Sequence, residues 1–263
     1  MKLLLKSLLG GLGIEIFDVS KGQEIKLYKS SLVLEAVEPY KDEFSKPDNL
    51  VVSIEQYIVE QINRERWKQG DRIDDLLIAK ELKVSRNSVR DALSRLTALK
   101  ALEKQHWSGY NIPVLSKEQA DMTLQIRIIL EKYAMELFMA RITTQHIVEI
   151  ENSVNLSENS AMNGDFISFH KYDYAIHSII KDNCGNLWVA HFLEQIGYML
   201  VLLRQIELVE NRVTYAMNSI AEHRKIIGAM KEGNAEQAVL YLVEHIEQQR
   251  IRLEKIFFTG EKP

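Results

Sequence analysis

Four side chains with the chemistry of metal ligands stand at helical spacing in the second half of the chain. Asp173 and His177 are four residues apart, which places a carboxylate and an imidazole on one face of a helix. His223 and His245 each sit among regularly spaced apolar residues of two further predicted helices. Because a buried polar group without a partner costs several kcal/mol, four such residues facing one core favour a divalent metal that binds them together.

A second interpretation of these residues needs no metal. A single histidine on an apolar helix face is more often a core residue with an ordinary hydrogen-bond partner, and the spacing alone leaves both interpretations open. His170, one turn before Asp173, is the reserve ligand. Nitrogen ligands with one carboxylate do not choose among the divalent transition metals. The remaining histidines are interpreted as surface or core residues: His106, His146 and His191.

A basic helix is predicted in the first half of the chain. Ser85 is a good N-cap for it, and Arg86, Asn87 and Arg90 place polar and basic groups on its leading turn. That turn meets base edges and phosphates when a helix lies in the major groove of DNA. Arg95 is a further candidate DNA contact. The charge alone is more typical of a solvated surface helix, so the neighbouring elements decide the interpretation.

Those elements complete a winged helix-turn-helix. Apolar residues at helical spacing predict a first helix after Leu50, and Asp75 to Leu82 form a short second one. A tight connection leads to the basic helix, Arg86 to about Leu99. Its opposite face carries apolar residues that pack on the preceding helices: Val89, Ala92, Leu93 and Leu96. A hairpin with Trp107-Ser108-Gly109 at its tip follows and has the form of a wing.

The rest of the chain is predicted to be helical. Ser116 and Asn234 begin capping-box patterns, and Gly164, Gly185 and Gly233 mark helix ends. Six helices are predicted: Lys117–Arg141, Thr144–Met162, Asp165–Asp182, Leu187–Glu210, Thr214–Glu232 and Ala235–Phe257. The fold class is therefore mainly α, with a winged helix-turn-helix before an all-helical bundle.

The first 49 residues differ from the rest in pattern. Short alternating runs predict weak strands, and a polar stretch that contains proline predicts a linker. They are interpreted as a dimerisation or regulatory arm, with a partly ordered extension or an upstream start codon as alternatives. The predicted domains are an extension over 1–49, a winged helix-turn-helix over 50–115, an effector domain over 116–258 and a tail over 259–263.

Composition and charge fit a soluble protein with two domains. The 263 residues are 46% hydrophobic and 27% charged, and the formal net charge is −4. Residues 51–112 hold 11 basic and 9 acidic residues, which gives +2 and leaves −6 for the remainder. The one cysteine excludes an intrachain disulfide and fits a reducing cytoplasm. No run of 18 apolar residues predicts a membrane span, so we expect a cytoplasmic protein without membrane partners.

The basic helix and the helix before it resemble a known family. The run Ala79-Lys-Glu-Leu-Lys-Val-Ser-Arg-Asn-Ser-Val-Arg-Asp-Ala-Leu93 is similar to the signature of the GntR family of bacterial regulators, roughly LAxxLGVSRxPVREAL. The resemblance implies that Arg86 and Arg90 contact bases and backbone, supported by Ser85 and Asn87. The chain departs from the family at Lys83, Asn87-Ser88, Ala101 and Ser108, and these departures bear on the target sequence and on the minor-groove contact of the wing.

The helical region resembles the FCD-type effector domain of the FadR subfamily. The resemblance rests on several short patterns: Leu124-Gln-Ile-Arg127-x-x-Leu-Glu131, Gly164-Asp165, Asp173-x-x-x-His177, Gly185-Asn186, Glu222-His223 and His245. It implies that Asp173, His177, His223 and His245 hold a divalent ion and leave positions for water or an effector carboxylate. The family's metal has been assigned as zinc, nickel or manganese, with zinc and nickel the leading candidates here.

Arg127 and Glu131 have two interpretations. Their i,i+4 spacing is that of an ordinary ion pair on a helix surface. The resemblance implies instead that Arg127 reaches into the effector cavity and binds a carboxylate, because a guanidinium group pairs with a carboxylate through two parallel hydrogen bonds.

Together these patterns predict a transcription regulator rather than an enzyme. We expect a homodimer that places two recognition helices on a palindromic operator and represses a catabolic operon. A small carboxylate, such as a sugar acid or hydroxy acid, would bind between the metal and Arg127 and change the DNA affinity. The alternatives are a metal-dependent hydrolase built on a helical bundle and a protein-interaction module whose ligand-type residues are only buried polar groups.

Overall fold

The computed structural model of the chain describes residues 50–105, 109–207 and 212–259. These residues lie in one compact unit. Within those ranges the chain forms nine helices and three short strands. The strand-like runs predicted before residue 50 lie outside the described residues.

The first part of the described chain forms the predicted winged helix-turn-helix. Its elements are α1 (Leu50–Asn63), β1 (Arg72–Ile73), α2 (Asp75–Leu82), α3 (Arg86–Ala98), β2 (Glu103–Gln105) and β3 (Gly109–Asn111). Helices α1 and α2 pack on α3. The strands form an antiparallel sheet in the order β1-β3-β2, in which Tyr110 pairs with Ile73 on one side and Lys104 on the other. The hairpin is confirmed; of its predicted tip, Trp107 and Ser108 lie outside the described ranges, and Gly109 begins β3. Strand β1 was not predicted, since two residues carry no periodicity.

Local residues fix the turn between α2 and α3. Asp74 caps α2 by accepting hydrogen bonds from the backbone N–H groups of its first turn, and Ser85 caps α3 through Ser88 N at 3.0 Å. Lys83 lies between the helices with φ 55°, a left-handed conformation that favours glycine. This conformation gives the physical reason why the GntR signature has glycine at that position.

The apolar face of α3 forms the centre of the winged-helix core, as the sequence predicts. Its four apolar residues are completely buried: Val89, Ala92, Leu93 and Leu96. A buried hydrogen-bond network supports the core at the other side of α2. There Arg66 donates to both Tyr57 and Glu81, and Tyr57 also donates to Glu81 at 3.1 Å.

The remaining helices form a bundle that matches the six predicted ones closely. They are α4 (Lys117–Met139), α5 (Thr144–Met162), α6 (Phe166–Asn183), α7 (Leu187–Glu207), α8 (Arg212–Lys231) and α9 (Ala235–Thr259). Helix α4 packs against α9, α7 and α6, and α8 packs against α5, α9 and α6. The centre of the bundle therefore lies where α4, α6, α8 and α9 meet.

The predicted caps and stops set the helix ends. Ser116 and Gln119 form a complete capping box at the start of α4, and Asn234 accepts a hydrogen bond from Gln237 N at 3.0 Å at the start of α9. Gly164, Gly185 and Gly233 stand at helix ends with positive φ angles, as predicted, since only glycine adopts this conformation without strain. No helix among the described residues has the length and hydropathy to cross a membrane.

Helix α7 joins the two halves of the described chain through two glutamine side chains. Gln205 donates hydrogen bonds to the backbone oxygens of Ile62 and Trp67 at 3.0 and 2.8 Å. In return, Gln69 donates to the backbone oxygen of Leu202 at 2.8 Å. These three hydrogen bonds tie this end of α7 to the winged helix.

Candidate functional site

The structure brings three predicted metal-ligand histidines together at the centre of the bundle. His177 comes from α6, His223 from α8 and His245 from α9, and one ligand atom of each lies within 4.8 Å of the others. All three side chains are buried, with exposed fractions of 0–6%. Residues more than 20 positions apart thus share one interior point, which is the arrangement that a metal ion requires.

The spacing of the ring nitrogens fits a metal better than a hydrogen bond. Nε2 of His177 lies 3.3 Å from Nε2 of His223. Two nitrogen ligands at the usual zinc distance in a tetrahedral site are separated by about 3.3 Å. A direct N–H···N bond at this length would leave the third imidazole without a role, whereas an ion uses all three.

Two of the imidazoles are held by carboxylates on their other nitrogen. Nδ1 of His177 lies 2.6 Å from Glu131, and Nδ1 of His245 lies 2.7 Å from Glu222. Such a carboxylate keeps the proton on Nδ1 and leaves the Nε2 lone pair for a metal. Glu222 also meets Arg252 at 3.4 Å, so the orientation of His245 is fixed through two further residues.

Asp173 lies on a different side of the cluster from the gathered nitrogens. Its carboxylate is 3.2 Å from Nδ1 of His223 and accepts a hydrogen bond from Ser219 at 2.7 Å. It is not among the atoms that lie within 4.8 Å of one another. Asp173 therefore lies against Nδ1 of His223 but, unlike Glu131 at His177, does not accept a hydrogen bond from the ring. The sequence-based assignment of Asp173 as a fourth ligand stays a prediction.

Burial keeps two of the imidazoles, His177 and His245, in the neutral form that binds metals. It lowers the pKa of His177, and it lowers the pKa of His245 well below its usual value, aided by the neighbouring histidines. Burial opposes ionisation of Glu131, but Arg127 and His177 outweigh it and lower the pKa of Glu131 to about 2. At neutral pH His177 and His245 are therefore neutral, and the carboxylate of Glu131 behind His177 is charged.

Arg127 is buried and already bonded to protein groups. Its Nε donates to Glu131 at 2.5 Å, and its Nη1 donates to Gln249 at 2.6 Å. Gln249 donates in turn to Glu207 at 2.9 Å. The interpretation of Arg127 and Glu131 as a surface ion pair is wrong, because both side chains are at most 7% exposed. Arg127 holds the carboxylate that orients His177, and its role toward an effector stays a prediction.

The candidate DNA contacts on the leading turn of α3 share one exposed face. Arg86 and Arg90 are 57% and 54% exposed and flank Asp75, at 2.9 and 3.8 Å. Ser85 and Asn87 are exposed beside them. The free amide groups at the start of α3 add a positive end that favours phosphates. These four residues form the recognition face.

Arg95 lies away from the recognition face. Nine residues after Arg86 on the same helix, it points to the other side, where its Nε is 2.8 Å from the buried Glu55 of α1. Tyr198 and Glu194 of α7 line the same groove, which has a volume of about 410 Å³. The position of Arg95 does not support the prediction that it contacts DNA together with Arg86 and Arg90.

The other histidines are placed as follows. His146 completes a capping box with Thr143 at the start of α5, and His191 is exposed on α7. Both agree with their interpretation as surface or core residues, whereas His106 lies outside the described residues. His170, the reserve ligand, is buried but does not join the three-histidine cluster.

Several residues around the centre escaped the sequence-based reasoning. Ser219, Glu207 and Gln249 hold or connect the predicted residues, yet each stands alone among unrelated neighbours in the sequence. Ser219 and Gln249 each stand four positions from a predicted ligand, His223 and His245, and this spacing was the available signal, whereas Glu207 had none. That signal is weak, because it applies to any polar residue one turn away from a histidine.

Comparison of the sequence with models of known protein families identifies the family of this chain. The sequence model of the bacterial regulatory proteins of the gntR family matches residues 50–112, and that of the FCD domain matches residues 122–248. The chain belongs to the GntR family. It is a DNA-binding transcription regulator of the GntR/FCD type, and the family consists of regulators rather than enzymes.

Relatives of this GntR regulator include the HTH-type transcriptional regulator YdhC of Bacillus subtilis (strain 168), 23% identical over 82% of this chain and 96% of its own. LutR of the same organism is 25% identical over 68% of this chain and 90% of its own. A relative from Paenarthrobacter nicotinovorans, 24% identical over 73% of this chain and 84% of its own, carries the name "Probable D-xylose utilization operon transcriptional repressor".

Solved structures confirm the fold of the regulator. E. coli McbR/YncC is similar with a TM-score of 0.72 at 21% identity, over 78% of this chain and 97% of its own. A GntR regulator from Rhodococcus sp. RHA1 has a TM-score of 0.69 at 16% identity, over the same shares. A winged helix-turn-helix of this family implies DNA binding, and an FCD domain implies a small-molecule effector and often a metal ion.

Proposed function

We propose that this GntR regulator is a metal-containing repressor of a catabolic operon that releases its operator when a small carboxylate binds. The DNA-binding domain would span residues 50–115 and the effector domain residues 116–258. The name of the relative from Paenarthrobacter nicotinovorans supports the role in a catabolic operon.

The observation that carries the proposal is the set of three buried imidazoles. His177, His223 and His245 point ligand atoms at one region, and a carboxylate stands behind each ring. Without an ion this arrangement would keep neutral imidazoles packed against one another at the cost of their unmet hydrogen bonds. Three nitrogen donors with open remaining positions suit zinc or nickel and leave the ion accessible to one more ligand.

The surroundings of the histidines favour an anionic effector. A bound divalent ion supplies a Lewis-acid position for a carboxylate oxygen. Arg127 acts on the same region, because its charge influences the pKa of His177 and of His245. Since this guanidinium is anchored by Glu131 and Gln249, it adds a fixed positive potential. We propose that a small carboxylate binds between the three histidines and Arg127.

DNA recognition is proposed for the recognition face. Arg86 and Arg90 would exchange Asp75 for phosphates and guanine edges, since exposed ion pairs contribute little and are easily replaced. A second copy of the chain would supply the matching half-site contact. An exposed apolar stripe on one face of α4 supports such a dimer, because stripes of this kind mark interfaces: Met122, Ile126, Ile129 and Tyr133.

Helix α7 would couple the two sites. Near its end, Arg204 lies over the ring of Tyr174 and Glu207 is bonded to Gln249 beside the centre. Gln205, on the turn between them, is bonded to the winged helix at Ile62 and Trp67. An effector that shifts this turn would change how the winged helix is held, which is the free-energy coupling that regulation requires.

The test combines DNA binding with metal content. The probe is a DNA fragment that carries the promoter region next to the gene for this chain. Arg86→Ala with Arg90→Ala should weaken binding at least 30-fold in a gel shift, since each arginine contact contributes about 1–3 kcal/mol. The matched control is Arg224→Ala, an exposed arginine of α8 that pairs with Glu158. Equal binding by the double variant and the control would refute the DNA assignment.

The same preparations test the metal assignment. Elemental analysis of the purified wild type should find zinc or nickel near one ion per chain, and His223→Ala with His245→Ala should lose it. Glu222→Gln should lower metal affinity about 10- to 100-fold, since it removes a carboxylate behind a ligand. Full retention of the ion by the double histidine variant would overturn the site.

A further inference from the structure

A groove between the last turn of α3 and the first half of α7 has no part in the functions assigned so far. It has a volume of about 410 Å³, which is within the usual range of small-molecule sites. Helix α1 contributes Val52 and Glu55 to its lining. None of the described residues that line it belongs to the recognition face or to the three-histidine centre. We call it the junction groove, because its walls come from both halves of the described chain.

Glu55 is a buried carboxylate of the junction groove with incomplete hydrogen bonding. It is 4% exposed, and its Oε1 atom accepts no hydrogen bond from the described part of the chain. Nε of Arg95 lies 2.8 Å from this oxygen, but its N–H is not directed at the oxygen, so the two form an ion contact without a hydrogen bond. Burial raises the pKa of Glu55, although Arg95 opposes this shift. Because a buried acceptor without a donor is unfavourable, this oxygen favours a ligand that brings one.

The junction groove carries an excess of negative charge. Two carboxylates, Glu55 and Glu194, line it together with one guanidinium, Arg95, which leaves a formal charge of −1 when His191 is counted as neutral. Burial raises the pKa of Tyr198, and both carboxylates add to this shift, so both lie near its phenol group. The charges therefore attract a cation and repel an anion.

The rest of the junction groove offers apolar contact. Three aliphatic side chains line it: Val52, Ala98 and Leu99. The ring of Tyr198 adds an aromatic surface. Arg95 is 58% exposed, so it can return to water when another cation takes its place beside Glu55. A cation with an apolar body would therefore suit the groove, whereas a neutral apolar molecule would bury Glu55 further without a partner.

We propose that the junction groove binds a small organic ammonium ion. Its N–H groups would donate to Glu55 and Glu194, because hydrogen bonds between charged groups are stronger than neutral ones. Its apolar body would pack on Val52 and Leu99. The site depends neither on a metal ion nor on a carboxylate effector. Since α3 and α7 form two of its walls, the ligand would contact the DNA-binding domain and the bundle together and give the regulator a second chemical input.

The experiment compares amines with alcohols of the same shape. Calorimetric titration of the full chain at pH 7.5 uses two matched pairs, 2-phenylethylamine with 2-phenylethanol and hexylamine with hexanol. At least one amine should bind about tenfold or more tightly than its alcohol, since a hydroxyl group brings no charge to the two carboxylates. A chain without bound metal or without binding to the promoter fragment should show the same preference, so failure of the proposed function is recognised separately.

Variants of the ion contact then localise this preference. Glu55→Gln should weaken the preferred amine about fivefold or more and change its alcohol less than about twofold. Glu60→Gln, on the same helix and paired with Arg64, is the matched control and should change neither. Arg95→Ala should strengthen the amine roughly two- to fivefold, because it removes the cation that competes for Glu55. A purely structural pair would behave differently, since loss of either partner would lower the melting temperature and leave amine binding unchanged.

Ala98→Phe tests the location independently of Glu55. Ala98 is exposed at the end of α3, so a larger side chain there fills the groove without entering the core, and binding of both amine and alcohol should be lost. This variant supplies the answer if Glu55→Gln fails to fold. Equal affinity for amine and alcohol in both pairs, or an amine preference that survives Glu55→Gln and Ala98→Phe, would overturn the proposal.

Discussion

The recognition face and the three-histidine centre both pair nitrogen-containing side chains with carboxylates, but the pairs of the first are exposed and those of the second are buried. On α3, Arg86 and Arg90 share the carboxylate of Asp75 while more than half of each arginine remains exposed. In the bundle, His177 and Glu131 form a pair that is at most 7% exposed. Water reaches both arginines of the first set, although Asp75 itself is only 14% exposed, and it is excluded from the second set. This difference in solvation sets how easily each group can change partners.

This difference in solvation explains why the ion pairs on α3 can exchange partners while the orientation of His177 in the bundle is fixed. An exposed ion pair contributes about 0–1 kcal/mol, so Asp75 can be replaced by a phosphate at little cost. A buried carboxylate that lost its partner would cost about 3–5 kcal/mol, so Glu131 and Arg127 hold His177 in one orientation. The proposed DNA contacts therefore depend on charged groups that can change partners, whereas the three-histidine centre depends on groups that are held in place.

The largest effect should come from removing the proposed metal ion from the buried region. At a free ion concentration 100 times the Kd, binding contributes about 3 kcal/mol, so a chelator should lower the free energy of unfolding by about that amount. His223→Ala should remove this response, because it deletes a ligand at the centre. Urea unfolding with and without chelator measures both.

The recognition face supplies the control for this experiment. Arg86→Ala should respond to the chelator as the wild type does, since its side chain is exposed far from the histidines. If His223→Ala kept the full response, the stabilising ion would have to bind elsewhere, and the contrast between the two regions would lose its basis.

A smaller effect is expected from acid at the buried region. The pKa of His170 falls to about 4 on folding, because burial opposes its charged form. The unfolded chain therefore binds more protons below pH 6.5, and stability is lost as the pH falls from about 6.5 to about 4, by about 3 kcal/mol. His170→Phe should remove this part of the loss. Denaturant unfolding of both chains at pH 7.5 and 4.5 checks it, and equal losses would contradict the assignment.

The smallest effect is expected at the recognition face. Asp75→Asn removes the carboxylate that competes with phosphate for Arg86 and Arg90, so affinity for the promoter fragment should rise two- to fivefold at low salt, about 1 kcal/mol or less. Raised salt should reduce the gain by screening. Glu136→Gln, on α4, is the control. Weaker binding by Asp75→Asn would mean that Asp75 positions the arginines for DNA rather than holding them in its absence.

Much of the fold could be predicted because short sequence patterns specify the helices and their ends. Helices Asp75–Leu82 and Thr144–Met162 have the predicted bounds. The first begins at a cap, Asp74, and ends at the left-handed Lys83. The second begins at a cap, Thr143, and ends just before Gly164. Strand Arg72–Ile73 was missed, because only its pairing with β3 makes it a strand.

The centre was predicted in part. The apolar stripes correctly predicted that His177, His223 and His245 are buried, because helical periodicity indicates which face of a helix is buried. They could not tell that Asp173 contacts Nδ1 of His223, or that Arg95 turns away from Arg86 and pairs with Glu55. These details depend on how packed helices are rotated relative to one another, and the sequence pattern of a single helix carries no information about that rotation.

The sequence by itself determined the elements, the family and the kinds of ligand atom, because these follow from spacing and residue type within short segments. Only the tertiary structure decided which carboxylate backs which imidazole and which buried groups, such as His170 and Glu207, are left without partners. The carboxylate–imidazole pairings join residues that are 46 and 23 positions apart along the chain. They are fixed by the packing of side chains from four helices at one interior point.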